Sequence, residues 1–164
     1  MYDKATLDLQ EALKAVTAAI QAAENAGSRE PRTWPGIAVT VVDKEGEMIA
    51  GARMDGMAPR FLRAAHRKAY TAAVMERDTA GVMDFWDRQE TAGHRGPHDW
   101  NDPMLTTLPG GYVVKHGTRI VGALGVSGGS AGGYDDDYFA EIAMKALGNE
   151  FRHTPVWDTK HVGD

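Results

Sequence analysis

The sequence predicts an α+β fold in which helices flank an antiparallel sheet. Helical periodicity and short strand-like runs follow each other in the order helix, hairpin, two helices, hairpin, helix. Tight turns join both pairs of strands, and the spacing of a β-α-β crossover is absent, which favours antiparallel pairing. The 164 residues suffice for one domain, which we place at 1–150, followed by a tail at 151–164.

The composition excludes several classes of protein. A formal net charge of −5 disfavours non-specific binding of nucleic acid or of an acidic membrane surface. The absence of cysteine excludes disulfides, thiolate metal sites and cysteine nucleophiles. No apolar run reaches the roughly 20 residues of a membrane span, and the first residues lack the pattern of a signal peptide. We therefore expect a cytoplasmic protein without a nucleic-acid or membrane partner.

The first predicted helix covers residues 9–26. Asp8 precedes it as an N-cap, and Glu11 stands where a side chain can reach back to the cap, which is a capping-box pattern. Gly27 follows the last periodic residue and ends the helix. Apolar residues at three- and four-residue intervals predict its buried stripe: Leu9, Leu13, Val16, Ile20 and Ala23.

A hairpin and two helices come next. A run rich in β-branched residues predicts a strand at 37–42, and residues 47–53 are predicted as its partner strand across a polar turn. Residues 60–76 have a slim alanine-rich face that suits a helix lying flat on a sheet. A third helix is predicted at 80–88. Prolines and glycines then forbid a continuous helix, so we interpret 84–107 as a long loop that serves as a pocket lid.

The chain is organised around a glycine-rich hairpin over residues 108–133. Its strands are predicted at 112–115 and 119–126, with a tight turn between them. The second strand is apolar with little alternation, which is typical of burial on both faces. Glycines inside it, Gly122 and Gly125, indicate a bulge or the close approach of another backbone or a ligand.

A last helix is predicted at about 135–149. Asp135, Asp136 and Asp137 occupy its first turn, where they complement the helix dipole and would repel a phosphate. We therefore interpret the preceding glycine-rich turn as a flexible connection capped by acids.

Arg53, His66 and Tyr70 are candidates for the wall of a ligand pocket. Arg53 ends a strand, a position from which a guanidinium can hold a carboxylate through two hydrogen bonds. His66 and Tyr70 lie one helical turn apart and would act as catalytic acid or base in an enzyme. Packing roles stay open: Arg53 paired with Asp55, His66 at a helix–helix contact, and Tyr70 as amphipathic surface.

The long loop supplies a second set of candidates. His94 and His98 lie four residues apart and close to Asp102, and this combination of imidazole and carboxylate suits zinc, iron or another divalent ion. His94 is also a candidate catalytic group, because imidazole titrates near neutrality. Trp100 offers a surface for ligand contact. The alternative is a polar loop whose histidines cap backbone groups or contact a neighbouring subunit.

The glycine-rich hairpin offers ligand contacts of its own. Backbone N–H groups at Gly110 and Gly111 can stabilise an enolate or oxyanion. Ser127 opens the second glycine-rich turn and is a candidate ligand contact. Its surroundings do not form a nucleophile elbow, so a serine hydrolase is disfavoured.

Five sequence blocks stand in a characteristic order: 37–43 with Gly46, 52–56, 68–72, 109–111 and 121–129. Together they resemble the GlcG/HbpS-like family of haem-binding and haem-degrading proteins. The resemblance implies a profilin-like five-stranded antiparallel sheet flanked by helices, and assembly into homo-oligomers from dimer to octamer. The chain departs from the family pattern in the length of its loop and in the expected absence of secretion.

Two functions of different kinds follow. The leading hypothesis is an oligomeric cytoplasmic protein that binds haem or a similar small molecule between the second helix, the loop at 91–107 and the glycine-rich hairpin, with His66 or His94 as axial ligand. The alternative is a cofactor-free or metal-assisted enzyme of small-molecule catabolism, such as a tautomerase, lyase or hydratase, in which Arg53 holds a substrate carboxylate. A third hypothesis is an accessory subunit.

Overall fold

The computed structural model describes residues 5–27, 36–91, 93, 100–129 and 133–154. The elements in these ranges are α1 (Leu9–Ala26), β1 (Ala38–Val42), β2 (Met48–Arg53), α2 (Arg60–Val74), a 3-10 turn (Thr79–Gly81), α3 (Val82–Thr91), β3 (Gly111–His116), β4 (Arg119–Ser127), α4 (Asp136–Leu147) and β5 (Phe151–Arg152). Among them, no helix combines the length and the apolar character needed to cross a membrane.

The strands form one five-stranded antiparallel sheet in the order β2-β1-β4-β3-β5. Both predicted hairpins are present, so the prediction of an α+β fold with an antiparallel sheet is confirmed. The fifth strand comes from the predicted tail, where Phe151 and Arg152 pair with His116 and Lys115 of β3. Two residues are too few for a recognisable period, so the sequence could not indicate this strand.

Two helix ends differ from the predicted ones. Helix α3 continues to Thr91, so the first part of the predicted loop at 84–107 is helical. Helix α2 ends at Val74, because Glu76 adopts a positive φ of 59°. There the Glu76 N–H donates to the Ala73 carbonyl and the Arg77 N–H to the Ala72 carbonyl, which is the hydrogen-bond pair of a Schellman motif.

The sheet separates two apolar layers. Helices α1 and α4 cover one face, and helix α2 covers the other. Val39 and Val41 face the layer of α1 and α4, whereas Val42 packs with Ala69 and Ala72 under α2. This alternation along β1 is expected of a strand that is covered on both faces.

The buried stripe of α1 differs from the prediction, although its cap does not. Asp8 and Glu11 form the predicted capping box. Leu9 and Leu13, however, are 51% and 42% exposed. The buried stripe consists mostly of small residues, which let a neighbouring helix approach closely: Ala12, Ala15, Val16, Ala19 and Ala23. Val16 and Ala23 are buried as predicted, and Ile20 packs against the core. The prediction was wrong for the two leucines, because it ranked leucine above alanine, whereas close packing of helices favours alanine here.

A row of small residues crosses the sheet beneath α2. Successive cross-strand partners form it: Gly51 of β2, Thr40 of β1, Gly125 of β4 and Gly111 of β3. A Cβ atom at Gly125 would overlap the Ala65 carbonyl oxygen, and one at Gly111 would overlap the Lys68 carbonyl oxygen. The backbone of α2 therefore lies directly on the sheet, which confirms the predicted close approach at Gly125.

Replacement of Gly125 by alanine should push α2 off the sheet. The new methyl group would overlap the Ala65 carbonyl oxygen and lie 2.7 Å from the Ala69 nitrogen. We expect the free energy of unfolding to fall by about 1–3 kcal/mol, as in other overpacked cores, when it is measured by urea denaturation. Gly117→Asn is the control, because that turn residue has φ +61° and open space around it. Equal stability of Gly125→Ala and wild type would contradict the close approach.

Candidate functional site

One flank of α2 lies over the turn of the first hairpin. The His66 Nε2 atom is 3.1 Å from the Gly46 carbonyl oxygen. Gly46 has φ +87°, and a Cβ atom there would overlap the Tyr70 ring. His66 and Tyr70 are one helical turn apart, so both side chains contact the same turn residue. Because a carbonyl only accepts hydrogen bonds, the neutral imidazole of His66 carries its proton on Nε2 and a lone pair on Nδ1.

The second part of the loop, residues 100–107, is tied to α2. The Tyr70 hydroxyl donates a hydrogen bond to Asp102 Oδ2 at 2.8 Å. Arg67 Nη2 donates to the Leu105 carbonyl at 2.7 Å, and the Thr106 N–H donates to a threonine hydroxyl of α2 at 3.0 Å. The bond to Asp102, followed by burial, raises the pKa of Tyr70, so its phenol keeps its proton at neutral pH.

Trp100 presents an aromatic surface next to this contact. It lies two residues before Asp102 and is 51% exposed. Its ring packs edge-on against Trp86 of α3, with centroids 5.5 Å apart and planes 89° apart. Trp86 is itself buried and fixes one edge of Trp100. An exposed, supported indole of this kind suits contact with a flat ligand.

The structure brings together three of the predicted site residues: His66 and Tyr70 lie on one flank of α2, and Asp102 accepts the hydrogen bond of Tyr70. Trp100 lies two residues before Asp102, and its ring contacts α3. The carboxylate oxygens of Asp102 accept hydrogen bonds from Tyr70 and from the Met104 N–H. Within the described residues, no group of three or more His, Asp and Glu side chains is arranged to hold a metal ion. His94 and His98 lie outside those residues, so the metal site stays a prediction.

Arg53 lies apart from this group. Its Nη1 atom donates a hydrogen bond to the Met57 carbonyl, just before α2 begins. His66 and Tyr70 contact the hairpin turn at the opposite end of β2. The structure therefore does not bring these three predicted residues together, because the length of β2 separates Arg53 from the other two.

The predicted contacts of the glycine-rich hairpin lie on the other flank of α2. The Gly111 N–H donates to Thr79 Oγ1 at 2.9 Å. The Gly110 N–H interacts with the Asp137 carboxyl group, and Ser127 is buried in β4. The Gly111 donor therefore has a partner within the fold, and the Gly110 N–H lies close enough to the Asp137 carboxyl group to lower the pKa of that group, against the larger rise that burial causes. Among the described residues, His66 and this hairpin lie on opposite flanks of α2.

A buried ion pair binds backbone groups at the second glycine-rich turn. Lys68 is 2% exposed. Its Nζ atom lies 2.5 Å from Asp136 Oδ2 and 2.8 Å from the Val126 carbonyl oxygen. The other oxygen of Asp136 accepts the Gly129 N–H. Sequence reasoning missed this pair, although a lysine on a largely alanine face opposite three aspartates was an available signal.

Asp135 caps the last helix, as the sequence predicts. Its side chain accepts the Tyr138 N–H at 2.9 Å, and Asp136 opens α4. Of the three aspartates, one therefore caps the helix and the next pairs with Lys68.

A second cluster was also missed by the sequence. Asp78 is 1% exposed, and its Oδ2 atom lies 2.6 Å from Nδ1 of His153. His153 belongs to the predicted tail, and its ring stacks on Tyr112 with centroids 4.5 Å apart. The hydrogen bond to Asp78 raises the pKa of His153. No local pattern links residues 75 positions apart, so this contact could not be predicted.

A cleft of about 260 Å³ opens between the start of α1 and β5. Two carboxylates, an imidazole and apolar side chains line it: Leu7, Glu11, His116, Val121, Glu150 and Phe151. None of the predicted site residues contributes to its lining.

Comparisons with known proteins agree with this fold. A family model described as "Haem degrading protein HbpS-like" matches residues 7–145. GlcG of Escherichia coli strain K12 is 35% identical over 91 residues, which are 56% of this chain and 63% of GlcG, so the match spans less than two thirds of that relative.

Two crystal structures are also similar. A double mutant of Streptomyces reticuli HbpS has a TM-score of 0.72 and 30% identity, and the match covers 91% of this chain and 92% of HbpS. PduOC in complex with haem has a TM-score of 0.70 and 26% identity, and the match covers 86% of this chain and 94% of PduOC.

Replacement of Lys68 by methionine should destabilise the fold strongly. It would leave Asp136, whose side chain is 22% exposed, without its cation, and removal of one partner of a buried pair costs about 3–5 kcal/mol. Urea denaturation would measure the loss, and Lys68→Met combined with Asp136→Leu should recover part of it. The control is Lys145→Met in the exposed pair with Glu141, where we expect a change within about 0.5 kcal/mol. Equal effects of the two lysine variants would contradict this account of Lys68.

Proposed function

The chain belongs to the HbpS-like family, and we propose that it binds haem, or a similar flat small molecule, at the flank of α2 that carries His66 and Tyr70. The observation that carries this proposal is the group formed by His66, Tyr70 and Trp100 beside the tied loop. The imidazole and the phenol are one helical turn apart, and the exposed indole lies two residues before Asp102, which accepts the hydrogen bond of the phenol. The family description and the haem complex of the relative PduOC support haem as the ligand.

The donor chemistry of this flank fits haem. Histidine and tyrosine are both known axial ligands of haem iron. Tyr70 is the weaker candidate, because its hydroxyl already donates to Asp102 and its pKa is raised. His66 keeps a lone pair on Nδ1 while Nε2 faces Gly46. We therefore propose His66 as the iron ligand and Trp100 as a face for the macrocycle; bound haem would supply the iron and redox chemistry.

The enzyme alternative draws less support from the geometry. It requires backbone donors at Gly110 and Gly111 for an oxyanion, yet these N–H groups face Asp137 and Thr79. It also places Arg53 near a proton-transferring histidine of the loop; His94 and His98 lie outside the described residues, and Arg53 lies at the far end of β2 from His66. A binding function needs neither arrangement.

Self-assembly in the cytoplasm is part of the same proposal. The exposed leucines of α1, Leu9 and Leu13, and the exposed tyrosines at the start of α4, Tyr134 and Tyr138, support a homo-oligomer, because large apolar side chains at the surface are often covered by a partner. The two tyrosine rings stack on each other with centroids 4.0 Å apart, which makes a flat surface. The cytoplasmic location rests on the sequence prediction.

Haem titration followed by absorbance tests the proposal. We expect a saturable shift of the Soret band in the wild type. Affinity should fall in His66→Ala by at least about tenfold, since loss of even an outer-shell group has that effect on metal affinity. His116→Ala is the matched control, because this histidine lies on β3 next to Phe151, away from α2, and its titration should equal that of the wild type.

The outcomes separate the parts of this proposal. Absence of a saturable Soret shift in the wild type would refute haem binding. A shift that persists in His66→Ala but disappears in His94→Ala would retain haem as the ligand and move its iron ligand to the loop. Reduced affinity in Trp100→Ala with an unchanged spectrum would support ring contact without ligation.

A further inference from the structure

The end of the described chain closes one edge of the sheet. We call residues 151–154 the β5 segment. Besides its ladder with β3, it exchanges two hydrogen bonds with Asp78: the Asp78 N–H donates to the Thr154 carbonyl at 3.2 Å, and the Thr154 N–H donates to Asp78 Oδ1 at 3.3 Å. Asp78 Oδ1 also accepts the Val113 N–H at 3.0 Å. The β5 segment and Asp78 therefore cover adjacent parts of the outer edge of β3.

His153 is the side chain that connects this segment to its surroundings. Its Nδ1 atom is 2.6 Å from Asp78 Oδ2, and its Nε2 atom is 3.4 Å from Glu141 Oε2 on α4. The ring stacks almost parallel on Tyr112 of β3, with 12° between the planes. Asp137 of α4 adds a third carboxyl group whose charge acts on the ring. Three acidic groups, one that follows α2 and two on α4, thus act on one imidazole.

Other titratable groups also lie near His153. The guanidinium of the adjacent Arg152 donates to the Asn149 and Phe151 carbonyls. Tyr112 is neutral at ordinary pH, because burial raises its pKa further. Of the three acids, Asp137 acts on His153 least, and burial, followed by repulsion from its acidic neighbours, raises its own pKa. Lys145 lies 3.5 Å from Glu141, and it is largely exposed, so water screens its charge.

We propose that His153 is a pH-sensitive switch: in its charged form it holds the β5 segment through both Asp78 and Glu141, and loss of its proton breaks the contact with Glu141 and favours release of the segment from the edge of β3. The charged imidazole has two N–H groups, one for each of these carboxylates. After deprotonation one nitrogen bears a lone pair. Because Asp78 Oδ2 is the closer acceptor, Nδ1 keeps the hydrogen, and the lone pair of Nε2 then faces the Glu141 carboxylate, which repels it.

The direction of the pH dependence follows from this environment. The hydrogen bond to Asp78 raises the pKa of His153 above its usual value of 6.5, against the opposing effect of burial. A raised pKa in the closed state means that the added stability is fully present below pH 6.5 and is lost as the pH rises through the raised value. Release would expose Phe151, which is 9% exposed in the closed state, and would free the backbone groups of β3 for another strand.

Amide hydrogen exchange measured by NMR against pH tests the switch. The reporters are the Asp78 N–H, which donates to the Thr154 carbonyl, and the Thr154 N–H, which donates to Asp78 Oδ1. Protection factors, corrected for the intrinsic pH dependence of exchange, should fall severalfold as the pH passes the midpoint of the His153 ring titration in the same sample. In His153→Gln, whose amide can donate to Asp78 at every pH, protection should not depend on pH over this range.

Two further variants make the test specific. Glu141→Gln removes the carboxylate at Nε2 and leaves the bond to Asp78 in place, so the pH dependence should become weaker. His116→Gln changes the other histidine at the β3–β5 pair and should behave like the wild type. Protection that is independent of pH in the wild type would overturn the proposal, and so would an equal fall in His153→Gln.

Discussion

The close seating of α2 on the sheet fixes the position of everything else. Because Gly125 and Gly111 have no side chains, the backbone of α2 contacts the strands directly. The helix can then rotate very little about its axis, so each flank contacts a fixed part of the fold. The flank with His66 and Tyr70 meets the first hairpin turn, and the opposite flank sends Lys68 toward the start of α4. The glycine row therefore decides which side chains can share a site.

The ion pair of Lys68 and Asp136 sets the second contact of α2. Two charges removed from water stabilise a fold little compared with a well-packed apolar pair, but either charge alone is costly. The pair therefore favours one arrangement, in which α4 begins beside the end of β4. Asp136 also binds the Gly129 N–H, so the glycine-rich turn is held by protein groups. The glycines that looked suited to a ligand serve this packing instead.

Local patterns were enough to predict the elements, and non-local contacts were not. Both hairpins, the capping box at Asp8 and the cap at Asp135 follow from residues within a few positions of each other. The sequence also indicated His66, Tyr70, Trp100 and Asp102 by residue type. It could not show that Tyr70 bonds Asp102, because their pairing depends on how the loop returns to α2. The two-residue strand β5 and the contact between Asp78 and His153 depend on the complete fold in the same way.

The two described histidines on which the proposals rest differ in the acceptors that face them. His66 faces a single carbonyl oxygen, which takes one N–H and leaves the other nitrogen with a lone pair for a ligand. His153 lies between two carboxylates, which together favour an imidazole with both N–H groups. The first environment suits coordination, and the second suits a charged group that holds two parts of the chain together. Because α2 and the sheet separate these environments, haem binding at His66 need not alter the charge of His153, and the two proposals can be tested independently.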